Sequence, residues 1–285
     1  MKVSTNTCTL TKYVSYEKAI ELIAKAGFDG WDFSLFDMIR YDYSNGSVIQ
    51  KPHALNGNDY VKFCHTLKRV ADDNGLICNQ THAPFPVCVK EIRDSIKRAI
   101  ECTAEVGGDI CVVHPDNDGT AEQNAEFYLG LLPFAKEHGV RIATENMYNW
   151  RDGHSIPAAC SSPQDFIKHV DIISDPNFAA CLDIGHAEMF GVDTSAPEMI
   201  RALGHNRLKA LHIHDNDKHH DLHDMPFTGK IDFCLVARAL KEIDYDGYLT
   251  LEADSHPHKF TAETMDKCVK ELYDSVTRIR DMCLK

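Results

Sequence analysis

Short apolar runs alternate with amphipathic stretches along the whole chain. The first run, 2–7, leads into helical spacing over 15–26 (Ala19, Ile20, Ile23, Ala24), which Gly27 closes as a C′ residue. Further runs at 30–34, 76–82, 109–114, 140–145, 177–183, 208–214 and 248–252 read as strands. Helical patterns fall between them at 59–74, 89–106, 121–138, from Ser162 to Ile173 and at 231–243, with a closing helix over 260–283. Ser162 before Pro163 is an N-cap with proline at N1, and Ser195 with Glu198 has capping-box spacing. Two connections are long and polar. One covers 35–58 after the second strand, and the other runs from the fifth strand to Ser162. Loops longer than a plain turn often carry function.

Alternating strands and helices imply a parallel sheet. Eight such units in 285 residues predict an α/β fold, a single-domain (β/α)8 TIM barrel over 1–285. A doubly wound nucleotide-binding sheet would need a Gly-rich turn after its first strand, and 2–11 contains no Gly.

Composition narrows the partners. Lys and Arg number 30 against 43 Asp and Glu, a formal charge of −13, and no basic run occurs. That argues against a nucleic-acid partner. The N-terminus has no apolar signal core, and no apolar run approaches the roughly 20 residues of a membrane span, so no membrane partner is expected. There are 11 Cys, an odd number without a CxxC motif, and Cys78, Cys111, Cys181 and Cys234 sit in apolar runs. These read as reduced, buried thiols of a cytoplasmic protein.

TIM-barrel active sites lie at the C-terminal strand ends. The third to eighth strands end on His82, His114, Glu145, Asp183, His214 and Glu252. Such residues at six strand ends in a row exceed what chance supplies. Glu145, Asp183, His214 and Glu252 make a donor set for one divalent ion, Mn2+, Mg2+, Co2+ or Zn2+. Carboxylates gathered without an ion would repel one another. Around His214 the chain is crowded with His212, His219, His220, His223 and four Asp. His212 lies two residues before His214 on one strand, so it is expected one layer deeper and structural.

The segments Asn79-Gln80-Thr81-His82-Ala83-Pro84, Val113-His114-Pro115, Thr144-Glu145-Asn146, Cys181-Leu182-Asp183-Ile184-Gly185-His186-Ala187, His212-Ile213-His214-Asp215-Asn216, Asp221-Leu222-His223 and Leu251-Glu252 resemble the xylose isomerase-like TIM-barrel superfamily. It includes sugar phosphate isomerases and epimerases, ketose 3-epimerases, inosose dehydratase and isomerase, and endonuclease IV. The resemblance covers nearly the whole chain. By resemblance to the ketose epimerases, Glu145, Asp183, His214 and Glu252 hold one ion, and Glu145 and Glu252 are the acid/base pair. His186 then matches a substrate contact. His220 stands where that family has an arginine, a departure at a substrate-binding position. Resemblance to endonuclease IV implies a three-zinc set of His82, His114, Glu145, Asp183, His186, His214, Asp221, His223 and Glu252.

These implications combine into an expected isomerase or epimerase. It transfers a proton next to the carbonyl of a small sugar or inositol-like substrate through an enediolate. A metal-dependent lyase or dehydratase is the alternative, and an abasic-site endonuclease a further one. His82, His114, His186, His220, Asp221 and His223 are expected at the substrate. Trp31, Phe33, Phe36 and Tyr41 are candidates to line the sugar pocket, and Tyr148 and Trp150 to stack on it, each weighed against ordinary packing. Asp215 and Asp217 are either carboxylates that orient histidines or solvated side chains. A dimer or tetramer of identical chains is expected.

Overall fold

The computed structural model describes residues 1–285. After β1 (Lys2–Asn6), the chain forms α1 (Tyr16–Ala26), β2 (Gly30–Ser34) and a hairpin, β3 (Arg40–Asp42) with β4 (Ser47–Ile49). α2 (Tyr60–Asp73), β5 (Ile77–His82), α3 (Lys90–Glu105), β6 (Ile110–Val112), α4 (Ala121–Glu137) and β7 (Arg141–Glu145) follow. A second hairpin, β8 (Tyr148–Arg151) with β9 (His154–Pro157), precedes α5 (Pro163–Asp171), β10 (Phe178–Asp183) and the short α6 (Ile184–Ala187). The chain ends with α7 (Ala196–Arg207), β11 (Leu208–His212), α8 (Phe233–Glu242), β12 (Tyr248–Leu251) and α9 (Met265–Leu284).

Eight parallel strands lie in the order β11-β10-β7-β6-β5-β2-β1-β12. The ring closes where Ile213 bridges Leu251 and its N–H donates to the Thr250 carbonyl at 2.8 Å. The molecule is a (β/α)8 barrel. Its helices carry apolar faces inward: in α1, Ala19, Ile20 and Ile23 are buried, Ser15 caps the start, and Gly27 ends it at φ 107°. Ser162 caps α5 by accepting the Asp165 N–H. Ser195 does not cap α7 through its side chain, and Glu198 instead accepts the Thr194 hydroxyl at 3.4 Å.

Inside the barrel, Ile110, Val112, Ala143, Cys181 and Ala210 form a small apolar cluster of their own. Ala143, Cys181 and Ala210 stand two residues before Glu145, Asp183 and His212. Alternation along a strand therefore puts those polar residues on the same inner side, one layer above an apolar floor. The other half of the interior is polar. Ser4 donates to Thr250 at 2.8 Å, Asn79 to Thr250 at 3.1 Å, and Gln80 to Asp32 at 3.1 Å.

Three expectations change. Two strands end two residues early, β6 at Val112 and β11 at His212, although Val113 and Ile213 each still donate to a neighbouring strand. Each long polar connection contains a hairpin. Cys234 is exposed on the first turn of α8; all 11 cysteines are free thiols, most of them buried. No helix is long and apolar enough to cross a membrane.

Candidate functional site

The strand ends converge at the C-terminal mouth of the barrel. Asp183 and His212 are direct partners in the β10–β11 ladder, and Glu145 pairs with Cys181 across β7–β10. This register brings Glu145, Asp183, His212 and Glu252 together, with one potential ligand atom from each within 4.8 Å of the others. His212 Nδ1 lies 3.1 Å from Glu145 Oε1 and 3.7 Å from Glu252 Oε2. Its Nε2 faces Asp32 Oδ2 at 3.4 Å, and Asp32 also accepts the Gln80 amide. A carboxylate behind an imidazole fixes its orientation and tautomer for ligation.

The structure gives His212 and His214 different neighbours from those expected. His212, expected to be structural, stands with the three carboxylates. His214, expected there, groups with His186, Asp221 and His223. The cause is the strand end: His212 closes β11 at the level of Asp183, and His214 lies beyond the ladder. His214 still reaches Asp183 Oδ1 at 3.1 Å. Its ring also lies flat against Gly185, where a Cβ would come within 1.9 Å of it. Only glycine fits there.

In this second group, His223 Nε2 is 3.1 Å and His186 Nε2 is 3.4 Å from Asp221 Oδ2. The Nδ1 of His186 bonds the Asn146 carbonyl and that of His223 the Glu252 carbonyl, each at 2.9 Å. A ring that donates from Nδ1 keeps the Nε2 lone pair for a ligand. His223 adopts the left-handed region at φ 46°, and its carbonyl accepts the Ser255 N–H. Between the groups, His82 and His114 approach Nε2 to Nε2 at 2.7 Å, and His114 Nε2 is 3.2 Å from Glu145 Oε2.

Burial pushes the Glu145 carboxyl up, but His212 and His114 outweigh it and hold it well below the usual range. Burial pushes Glu252 up to about 8 against the pull of His212 and His223. Burial disfavours the charged form of His186, yet Asp183 and Asp221 lift it to about 10. Burial, with His114 and His212 alongside, drives His82 well below its ordinary value. Glu145 Oε2, Asp183 Oδ2 and Asp221 Oδ1 are buried without a hydrogen-bond partner. Buried carboxylate oxygens normally have partners, and oxygens left open beside imidazoles suit divalent cations. The residues fit an ion.

A cavity of about 730 Å³ opens above these groups. His82, His114, Glu145, His186, Asp221, His223 and Glu252 line it; His220 does not. His220 is solvent-facing and bonds Asp217 at 2.9 Å, because the Asp217 carboxylate turns the backbone of 219–220 outward. Phe36 and Tyr41 line the cavity, as do Tyr148 and Trp150, whereas Trp31 and Phe33 are wholly buried in the core. Tyr148 donates to Asp221 at 3.2 Å. Asp215 is buried and accepts the Gly229 and Ile231 N–H groups, shaping its own loop. Besides Asp32, the sequence reading missed Asn146. Its side chain both accepts the Asp183 N–H at 2.7 Å and donates to the Asp183 carbonyl at 3.0 Å.

Residues 20–272 match the family model described as xylose isomerase-like TIM barrel. An uncharacterised protein of Methanocaldococcus jannaschii is 27% identical over 256 residues, covering 84% of this chain and 79% of its own. Among solved structures, a D-tagatose 3-epimerase-like protein aligns with TM-score 0.73 at 22% identity, covering 100% of this chain and 98% of that one. The IolI protein with a bound zinc atom aligns with TM-score 0.75 at 17% identity, covering 98% of each chain.

Proposed function

Because the chain belongs to the xylose isomerase-like TIM barrel family, we propose that it is a metal-dependent isomerase or epimerase of a small sugar or inositol-like compound. The observation that carries this reading is the convergence of Glu145 and Glu252 on one atom, 3.1 Å and 3.7 Å from His212 Nδ1, with both side chains lining the cavity. Two carboxylates facing one substrate position can take a proton and return one. Glu145, Asp183, His212 and Glu252 would hold the ion, Mn2+, Mg2+, Co2+ or Zn2+. When bound, it supplies positive charge against the negative charge that develops on substrate oxygens. One glutamate removes the proton next to the carbonyl, giving an enediolate. The other delivers a proton to the opposite face, which epimerises, or to the neighbouring carbon, which isomerises. His82, His114, His186 and His223 orient hydroxyl groups. The free thiols agree with work in the cytoplasm, and the chain acts as a dimer or tetramer in this reading.

The test is solvent deuterium exchange into ketoses and inososes incubated with the metal-loaded protein. Glu145→Gln should abolish exchange with the fold intact, and a variant with near-normal exchange would sink the two-glutamate scheme. Loss of water from the substrate would replace it with the lyase or dehydratase reaction.

The group of His186, Asp221 and His223 favours one competing reading, an endonuclease IV-like enzyme with three zinc ions. Against it, the cavity lining contains no Lys or Arg and the chain carries −13 charges, so DNA phosphates find no partner there. Elemental analysis separates the two. One ion per chain supports the sugar enzyme, and three zinc ions with cleavage of abasic DNA would overturn it.

A further inference from the structure

We propose that the substrate is an uncharged two-ring glycoside whose reacting ring keeps a carbonyl free of the glycosidic bond. The reacting sugar lies over Glu145 and Glu252, and the second ring stacks on Trp150 and Tyr43 at the cavity mouth. The identity of the reacting ring rests on the reading above; the seat of the second ring does not.

Three features carry the inference. The cavity of about 730 Å³ falls in the upper part of the roughly 300–1,000 Å³ range of sites that bury drug-sized ligands. A single sugar ring would leave much of it unfilled. The outer wall comes from the two hairpins, which interrupt the strand-to-helix connections after β2 and β7. The turn after β3 contributes Tyr43 and β8 contributes Trp150, both in the lining yet 67% and 49% exposed. The inner aromatics are packed more closely, Phe85 stacking on His114 at 4.5 Å, whereas Tyr43 meets Tyr41 edge-on at 5.0 Å and Trp150 has the exposed His220 ring 5.9 Å away. An aromatic face left open at a cavity mouth presents apolar surface to the CH face of a sugar or to an aryl ring.

The charge of the lining is the third feature. It holds Asp116, Asp118 and Asn149 but no Lys or Arg. Asn149 donates to Asp118 at 2.7 Å and accepts from Asn117 at 3.1 Å, so these groups are fixed in place. Carboxylate and amide oxygens accept hydrogen bonds from hydroxyls. The same carboxylates repel a phosphate or carboxylate on the ligand.

The two tryptophans make the test direct. Trp31 is fully buried and Trp150 is half-exposed, so ligand-dependent emission reports on Trp150. The Mn2+-loaded full chain is titrated with cellobiose, lactulose, phenyl β-glucoside, glucose and glucose 6-phosphate. A saturable emission change is expected with at least one two-ring probe and with neither single-ring probe. A response to the disaccharides alone seats a sugar ring on Trp150, and a response to phenyl glucoside alone seats an aryl ring. Calorimetry on Trp150→Ala should show roughly tenfold weaker binding of the responding probe. Emission unmoved by every two-ring probe, equal response to glucose, or unchanged binding by the variant overturns the proposal. Binding of a two-ring probe together with no deuterium exchange into any ketose or inosose would leave the ring seat standing and overturn the reaction instead.

Discussion

His212 and His214 are separated by one residue, yet the fold gives them different neighbours. His212 is level with Asp183 in the ladder and has Asp32 behind it. His214 stands one layer higher, over Gly185. His212→Asn should therefore release the ion held with Glu145, while His214→Asn retains it; metal content after dialysis reads the difference. Equal loss in both variants would refute the assignment of His212. Asp32 is wholly buried, and burial raises its carboxyl against the hydrogen bonds of His212 and Gln80. Asp32→Asn should lower metal affinity by about 10–100-fold at unchanged fold, read by calorimetric titration. The signal for Asp32 was in the sequence: it is a lone carboxylate inside the buried run Gly30-Trp31-Asp32-Phe33-Ser34. Such a group is costly without a partner. The different levels of the two histidines were not legible, since both continue the same period of two, and only the ladder register fixes the level of each.

At the scale of elements, the eight strands and their helices were legible because each alternates an apolar run with a helical period. The hairpins leave a weaker mark in the sequence, confined to their turns. Asn45-Gly46 lies between β3 and β4, with Gly46 at φ 71°. Asp152-Gly153 joins β8 to β9, with φ 52° and 80°. Asn-Gly and Asp-Gly are the dipeptides that tolerate such turns. The first hairpin is tied to the barrel wall through Asp37, which accepts the Tyr16 hydroxyl at 2.6 Å and Arg40 Nη2 at 2.8 Å. Burial pushes the Asp37 carboxyl up, but Tyr16 and Arg40 outweigh it and keep it below its ordinary value. The folded value lies under the unfolded one of about 3.9. The stabilisation is therefore complete above that pH and disappears as pH falls through the folded value. Asp37→Asn should cost about 1 kcal/mol at pH 7, and the deficit should vanish in strong acid. Urea midpoints for both proteins at pH 7 and well below the folded value of Asp37 measure it; a deficit independent of pH would show that charge plays no part.

For the whole molecule, the fold has spent its stability on gathering like charges. Glu145, Asp183, His212 and Glu252 are all buried, and three of the four are carboxylates. Nearby Lys or Arg side chains do not offset them, since none lines the cavity. His186, His212 and His223 compensate by holding protons, His186 being lifted to about 10 by Asp183 and Asp221, and Glu252, pushed up to about 8 by burial, keeps its own. A divalent ion would replace those protons with fixed charge, so binding should release protons and stabilise the barrel. A ligand at a hundred times its dissociation constant that binds only the folded chain adds about 2.7 kcal/mol. At roughly 2–4 °C per kcal/mol for a domain of this order of size, the melting temperature should fall by roughly 5–10 °C when a chelator strips the ion. Restoring Mn2+ or Zn2+ should reverse the fall. A melting curve indifferent to chelator and to added metal would mean that the carboxylates are held by protonated histidines alone, and the reading of the barrel mouth as a metal centre would fail with it.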